Sequence, residues 1–358
     1  MKQIKKPELI TQVFSFIGVG FYGSIFVQVD GISLSYPMIV SRNLTFKLIF
    51  YYTWKKLLYY LFISTTVYVL HDYFEIVIFN IPSYTIAALG TALAIFLGFK
   101  NDHAYGRWWE ARKIWGLMVN YSRAWARQVT TLIFTEKEEE KESINAFQKK
   151  LVYRHIAFVN ALRVFLRRKH LYNETSQKEL FAEENNYSDA IPFLSDEEYQ
   201  EFRKQDNPPN FLIQMQGEDL QFAFKSGWIS DYRFVKMEET LVDFNDIQGK
   251  SERIKNTPLP RQYTFFSRVF VLIHCTLLPM VFISELGWKT IPIALAVSFV
   301  FLSLDLIGER TEDPFENRLE DTPMSSLSVT IETNLREQLK EHRDNYPPKY
   351  TVSEGIVL

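Results

Sequence analysis

The sequence predicts an all-α membrane protein with four membrane-crossing helical regions and a helical cytosolic domain between the second and third. Three observations carry that expectation. Residues Ile76 to Phe99 contain no Asp, Glu, Lys or Arg over 24 positions, and about 20 apolar residues suffice to span the hydrocarbon core. Two later stretches, Val269 to Ser284 and Thr290 to Leu304, are also free of formal charge. Between them, residues 100–265 show none of the apolar–polar alternation that marks a half-buried strand.

Composition narrows the function classes. The formal net charge is -2, with charges segregated along the chain, so there is no basic pole and nucleic acid is excluded as a partner. Cys275 is the single cysteine and lies inside an apolar run, which rules out an intramolecular disulfide and a Cys-based zinc site. No H-E-x-x-H, G-x-S-x-G, P-loop or Cys–His pair occurs, and the chain is not read as an enzyme.

Residues 1–37 form an N-terminal extension. Gly18-Val-Gly-Phe-Tyr-Gly23 matches G-x-G-x-x-G, but the next acid, Asp30, is only seven positions on. A dinucleotide site wants an acid about 20 positions on and a βαβ setting. Residues 38–99 hold spans 1 and 2. Span 1 runs from about Ile49 to Leu70, with Lys55 and Lys56 snorkelling to the headgroups; span 2 runs from Pro82 to Phe99, Pro82 suiting a helix start. The loop His71 to Glu75 has no Lys or Arg, whereas Lys100, Arg107, Arg112 and Lys113 follow span 2. The positive-inside rule therefore places both termini in the cytoplasm of a multi-pass plasma-membrane protein, the inner membrane if the source is bacterial.

Residues 100–265 read as the cytosolic domain. Phe147, Leu151, His155, Val159, Leu162 and Leu166 keep helical spacing, and a further helix is expected over Tyr232 to Gly249. Asn185 to Asn210 reads as a loop. Residues 266–306 hold spans 3 and 4, joined by a turn at Glu285 to Lys289; the alternative for these short runs is two buried helices of a soluble core. Residues 307–358 read as a polar cytosolic tail.

Span 2 carries two stripes. Gly90, Ala94 and Gly98 repeat every four residues, a small-residue face suited to helix packing. Thr91, Ile95 and Phe99 repeat likewise, about 100° around the helix. Copies of span 2 around an axis would make of these an apolar constriction, the kind that gates ions by dewetting. Ordinary packing is the alternative. Arg107, Trp108 and Trp109 read as an interfacial anchor.

Gly90-Thr-Ala-Leu-Ala-Ile-Phe-Leu-Gly-Phe99, then Arg107-Trp-Trp-Glu-Ala-Arg-Lys-Ile-Trp-Gly116, strongly resembles the bestrophins, especially prokaryotic homologues. Asp246-Ile-Gln-Gly-Lys-Ser-Glu-Arg-Ile-Lys-Asn-Thr-Pro-Leu-Pro260 and Gly308-Glu-Arg-Thr-Glu-Asp-Pro-Phe315 agree in order and spacing. The resemblance implies a homopentameric ion channel around a central pore, with a hydrophobic neck at Thr91, Ile95 and Phe99. It also implies a cytosolic constriction near Thr240, with Leu241 or Glu238 as alternatives. Its partners would be other copies of itself, the lipid bilayer and small inorganic ions.

Animal bestrophins bind calcium through a continuous acidic run, which makes Glu309, Glu312 and Asp313 calcium candidates. Here Arg310 and Thr311 interrupt that run, which favours salt bridging over a cation that wants six to eight oxygens, and no cofactor is expected. The resemblance points to chloride and other anions. Asp72 and Glu75 outside argue for monovalent cations, while Lys100 and Asp102 inside offer both signs. A secondary transporter is the further alternative, though spans 1–2 and 3–4 show no internal repeat.

Overall fold

A computed structural model of the protein describes residues 38–39, 46–76, 82–168, 187–318, 320–348, 352–353 and 356–357. The N-terminal extension, with its glycine motif, lies outside them. Helix α1 (Phe46–Asp72) is followed by α2 (Ser83–Leu132), 50 residues without a break. At about 1.5 Å per residue, α2 is roughly 75 Å long. The expected boundary at Phe99 therefore falls inside one continuous helix.

Helices α3 (Lys141–Arg167), α4 (Asp196–Phe202), α5 (Pro208–Lys225) and α6 (Asp231–Asn256) follow. Next come the hairpin α7 (Arg261–Leu286) and α8 (Thr290–Thr311), and finally α9 (Met324–Gln338). Gly287 turns the hairpin at φ 52°, a left-handed conformation that favours glycine. Short strands β1 (Met38–Ile39), β2 (Val352–Ser353) and β3 (Ile356–Val357) pair antiparallel in the order β1-β3-β2. The two described ends of the chain thus meet.

Two cores hold the helices together. Tyr60, Leu93, Leu97, Val271, Cys275 and Leu302 join α1, α2, α7 and α8. Trp115, Trp125, Phe158, Phe244, Leu220 and Leu335 belong to the larger core of α2, α3, α5, α6 and α9. Helix α2 contributes to both. Two helical stretches, Ser83–Leu132 and Arg261–Thr311, are long and apolar enough to cross a membrane, and only 28% of the apolar window of each is buried in the protomer. A soluble core helix would bury most of it, which weighs against the soluble-core alternative for residues 266–306.

The larger core is built on α3, whose residues from Leu151 to Leu166 are almost all buried. Arg154 is paired with Glu198 and Asp219, as a buried guanidinium requires. His155 lies 4.3 Å centroid to centroid from Phe244 and shares a 2.8 Å hydrogen bond with Ser122; burial pushes its pKa down to about 3.

Two expectations are corrected. The segment Asn185 to Asn210 is not all loop: Ser195 and Glu198 form a capping box that starts α4, and Asn207 caps α5 at Pro208. Nor is the polar segment 307–358 all tail, because α9 docks Met324, Ile331 and Leu335 into the larger core.

Candidate functional site

One face of α2 is open from end to end. Leu93, Leu97, Lys100, Ala104, Ala111 and Trp115 are buried on one side. On the other, Thr91, Ile95, Phe99, Asp102, Trp109 and Lys113 are exposed. These sets fall on opposite sides of a 3.6-residue helix. Ile95 is 56% and Phe99 63% exposed, which leaves the three neck candidates together on an unpartnered apolar surface. Thr91 donates its hydroxyl proton to the Ala87 carbonyl at 2.9 Å, so the polarity it offers to that surface is reduced.

The small-residue stripe divides. A Cβ on Gly90 would lie 2.8 Å from His274 Cε1, so Gly90 is where α7 presses closest on α2. Ala94 and Gly98 are exposed, and nothing lies within 4 Å of a Cβ on Gly98. Within the protomer, then, packing accounts for Gly90 alone.

Directly after Phe99, Lys100 is not an exposed charge. Its side chain is 0% exposed and its Nζ donates to Asp305 Oδ1 at 2.8 Å and to Ser267 Oγ at 2.9 Å. This ties α2 to α7 and α8. Asn101 Nδ2 adds a 3.0 Å bond to the Leu304 carbonyl. The helices approach so closely here that a Cβ on Gly308 would lie 2.3 Å from Asn101 Oδ1. Asp305 follows directly on the charge-free run Thr290 to Leu304, and its partner lies 205 residues away in sequence.

Arg107 and Trp108 act as latches between helices. Arg107 donates to the carbonyls of Thr257 at 2.6 Å, Ile254 at 2.8 Å and Glu312 at 2.8 Å. Burial lowers its pKa, while Asp313 and Glu312 act against that. Trp108 Nε1 donates to the Glu320 carbonyl at 2.9 Å. Trp109 stays exposed, stacked with Tyr105 and Trp108.

The calcium candidates do not fit a calcium ion. Glu309 pairs with Arg268 at 2.6 Å, Asp313 lies 3.8 Å from Arg107, and Glu316 pairs with Lys255 at 2.6 Å. Glu312 is 3% exposed, accepts from Thr264 at 3.1 Å and lies 3.7 Å from Arg261; burial raises its pKa. Each carboxylate answers a different group, and no three His, Cys, Asp or Glu among the described residues converge on a metal.

Burial separates the cytosolic-constriction candidates. Thr240 and Leu241 are 4% and 3% exposed, and Thr240 donates to Gln128 Oε1 at 3.0 Å. Both point into the protomer. Glu238 lines a groove of about 340 Å³ between α5 and α6, and burial raises its pKa. Val235, Glu239, Val242 and Asp246 are exposed on α6 and share one helical face.

Beside the Trp108 latch, Asp321 is buried and accepts from the Arg318 backbone N–H at 3.1 Å. Burial pushes its carboxyl up to about 7, against the pull of Arg318. A folded-state pKa above the ordinary carboxylate value of about 3.9 makes the contribution to stability full below that value. It is lost as pH rises through about 7. Asp321→Asn, which cannot ionise, should therefore compare least favourably with wild type at acid pH and gain stability relative to it as pH rises toward about 7. Thermal melts across that window check this, with His155 common to both proteins; a constant gap counts against it.

Residues 46–337 match the family described as Bacterial/Fungal Bestrophin protein. The chain is 32% identical to the voltage-dependent anion channel-forming protein YneE of Escherichia coli K12 over 269 residues, 72% of this chain and 81% of that protein. It is 31% identical to the voltage-dependent anion channel-forming protein mll4386 of Mesorhizobium japonicum over 277 residues, 77% and 80% of the two chains. The crystal structure of a bacterial bestrophin homologue from Klebsiella pneumoniae superposes with a TM-score of 0.71 at 26% identity, covering 80% of this chain and 98% of that one.

Proposed function

The chain belongs to the bacterial and fungal bestrophin family, and on that premise we propose that it forms a homopentameric anion channel in the plasma membrane. The observation that carries the reading is the open stripe of α2. Thr91, Ile95 and Phe99 lie uncharged and uncovered on a helix whose opposite face is packed against α7 and α8. Five such stripes around an axis make a narrow apolar neck, which passes ions only when it wets. The names of the relatives, anion channel-forming proteins, support the sign of the ion.

The crossings are α1, the first part of α2, α7 and α8, an even number. Pairing of β1 with β3 brings the described chain ends together, in keeping with both termini in the cytosol. Trp54, Leu58 and Phe62 leave α1 an exposed apolar surface for lipid or a neighbouring protomer. The cytosolic constriction belongs on the open face of α6 at Val242, 62% exposed.

Purified protein in planar bilayers under a KCl gradient tests the reading. Unitary steps with a reversal potential toward the chloride equilibrium value support an anion channel; reversal toward potassium identifies a cation channel of the same fold. Saturable flux without unitary steps favours a transporter. Phe99→Ala and Ile95→Ala should each change unitary conductance by about twofold or more, since a dewetting gate depends on side-chain size. Unchanged conductance removes the neck from these residues.

A further inference from the structure

Asp102 follows Phe99 on the open stripe of α2, three residues on and so about 4.5 Å further along the axis. It is exposed, and no hydrogen bond or ion pair engages it among the described residues. The basic groups around the same end of the neck are spent internally. Lys100 is buried against Asp305, Arg107 is held by three carbonyls, and Arg268 is paired with Glu309. Arg261 lies 3.7 Å from Glu312. His103 is exposed but projects about 100° around the helix from Asp102. The next cations on α2, Arg112 and Lys113, come ten and eleven residues later, about 15 Å away. That exceeds the screening length of about 10 Å at 0.1 M salt.

The first fixed charge that an ion meets on leaving the neck is therefore negative. We propose that Asp102 is a selectivity-determining residue, its five copies forming an acidic ring at the cytosolic end of the neck that holds chloride permeability down relative to potassium. This rests on the pentameric channel reading above. An uncharged constriction sets no sign by itself, so the charges at its mouths decide which ion is enriched there. Beside an apolar neck, where the effective dielectric is below that of water, each carboxylate acts more strongly.

The test compares wild type, Asp102→Asn, Asp102→Lys and Asp102→Glu in planar bilayers under KCl gradients, at mean concentrations of about 0.05 M and about 1 M. At low salt, Asp102→Asn should raise the chloride-to-potassium permeability ratio about threefold or more, and Asp102→Lys further. Asp102→Glu should keep the wild-type ratio. The wild-type ratio should itself rise at about 1 M, where the screening length falls to about 3 Å, a readout that needs no variant. A ratio unmoved by charge or salt, with unitary currents intact, overturns the role of Asp102 and leaves the channel reading standing. Absence of unitary currents from wild-type oligomers overturns the channel reading itself.

Discussion

Lys100→Met is expected to be among the most destabilising single changes in the membrane half of the protein, and Asp305→Leu its equal. Each leaves one charge buried with no counter-ion, at side-chain exposures of 0% for Lys100 and 3% for Asp305. Removing one partner of a buried pair typically costs about 3–5 kcal/mol, most of it the penalty on the charge left behind. Lys100→Met also strips Ser267 Oγ of its 2.9 Å donor. The double variant Lys100→Met/Asp305→Leu removes both charges, and apolar replacement of a buried pair is often neutral or stabilising. Melting of the detergent-solubilised oligomer should show each single variant about 10 °C below wild type, with the double variant recovering most of the loss. Single variants that melt with wild type, or a double variant as unstable as the sum of the two, would show that the pair contributes little. If the double variant folds yet conducts differently, the pair serves to position the neck rather than to stabilise it. Lys100 directly follows Phe99 and is joined to both helices of the α7–α8 hairpin.

The membrane helices were legible because missing charge is visible one residue at a time. The runs ending at Ser284 and Leu304 lie within α7 and α8, and the first run is helical from Ser83 to Phe99 in α2. The return of charge after Phe99 marks the edge of an apolar run, not the end of a helix; α2 runs on to Leu132. Lys100 was read as an entrance charge because burial depends on Asp305, a partner that no local pattern reveals. On α6, Thr240, Leu241 and Val242 are successive residues that face directions about 100° apart, which a resemblance fixed to a stretch of chain does not resolve. Burial separates them, with Val242 at 62% and Leu241 at 3% exposure. Helix α4 was legible but unread: Ser195-Asp-Glu-Glu198 is a capping-box spacing. Helix α9 was hidden by the small polar residues it buries, Ser325 and Ser328 among them.

Arg107→Ala should be comparably damaging, and Arg107→Lys should rescue less than half of the loss. The reason starts at Pro258. Helix α6 ends at Asn256, and the carbonyl of Ile254 would ordinarily accept from the N–H four residues on. Position 258 is proline, which has none. Arg107 Nη2 supplies that donor at 2.8 Å, and Nη1 reaches the Thr257 carbonyl at 2.6 Å. Nε caps Glu312 just past the end of α8 at 2.8 Å. A positive group is also favoured at helix C-termini, where the carbonyl ends of two helix dipoles converge on it. Alanine leaves three carbonyls without this donor, at about 1–3 kcal/mol for each that water cannot reach. Lysine restores the charge but not the planar fork with donors aimed in three directions. Thermal melts of wild type, Arg107→Ala and Arg107→Lys measure this, and a lysine variant as stable as wild type would show that charge, not geometry, is what α6 and α8 require. Because Arg107 sits eight residues beyond Phe99 on one unbroken helix, its latch also holds α6 to the helix on which we propose the neck. Loosening it should broaden the distribution of unitary current levels in Arg107→Lys, whereas a defect confined to stability would leave those levels as sharp as in wild type.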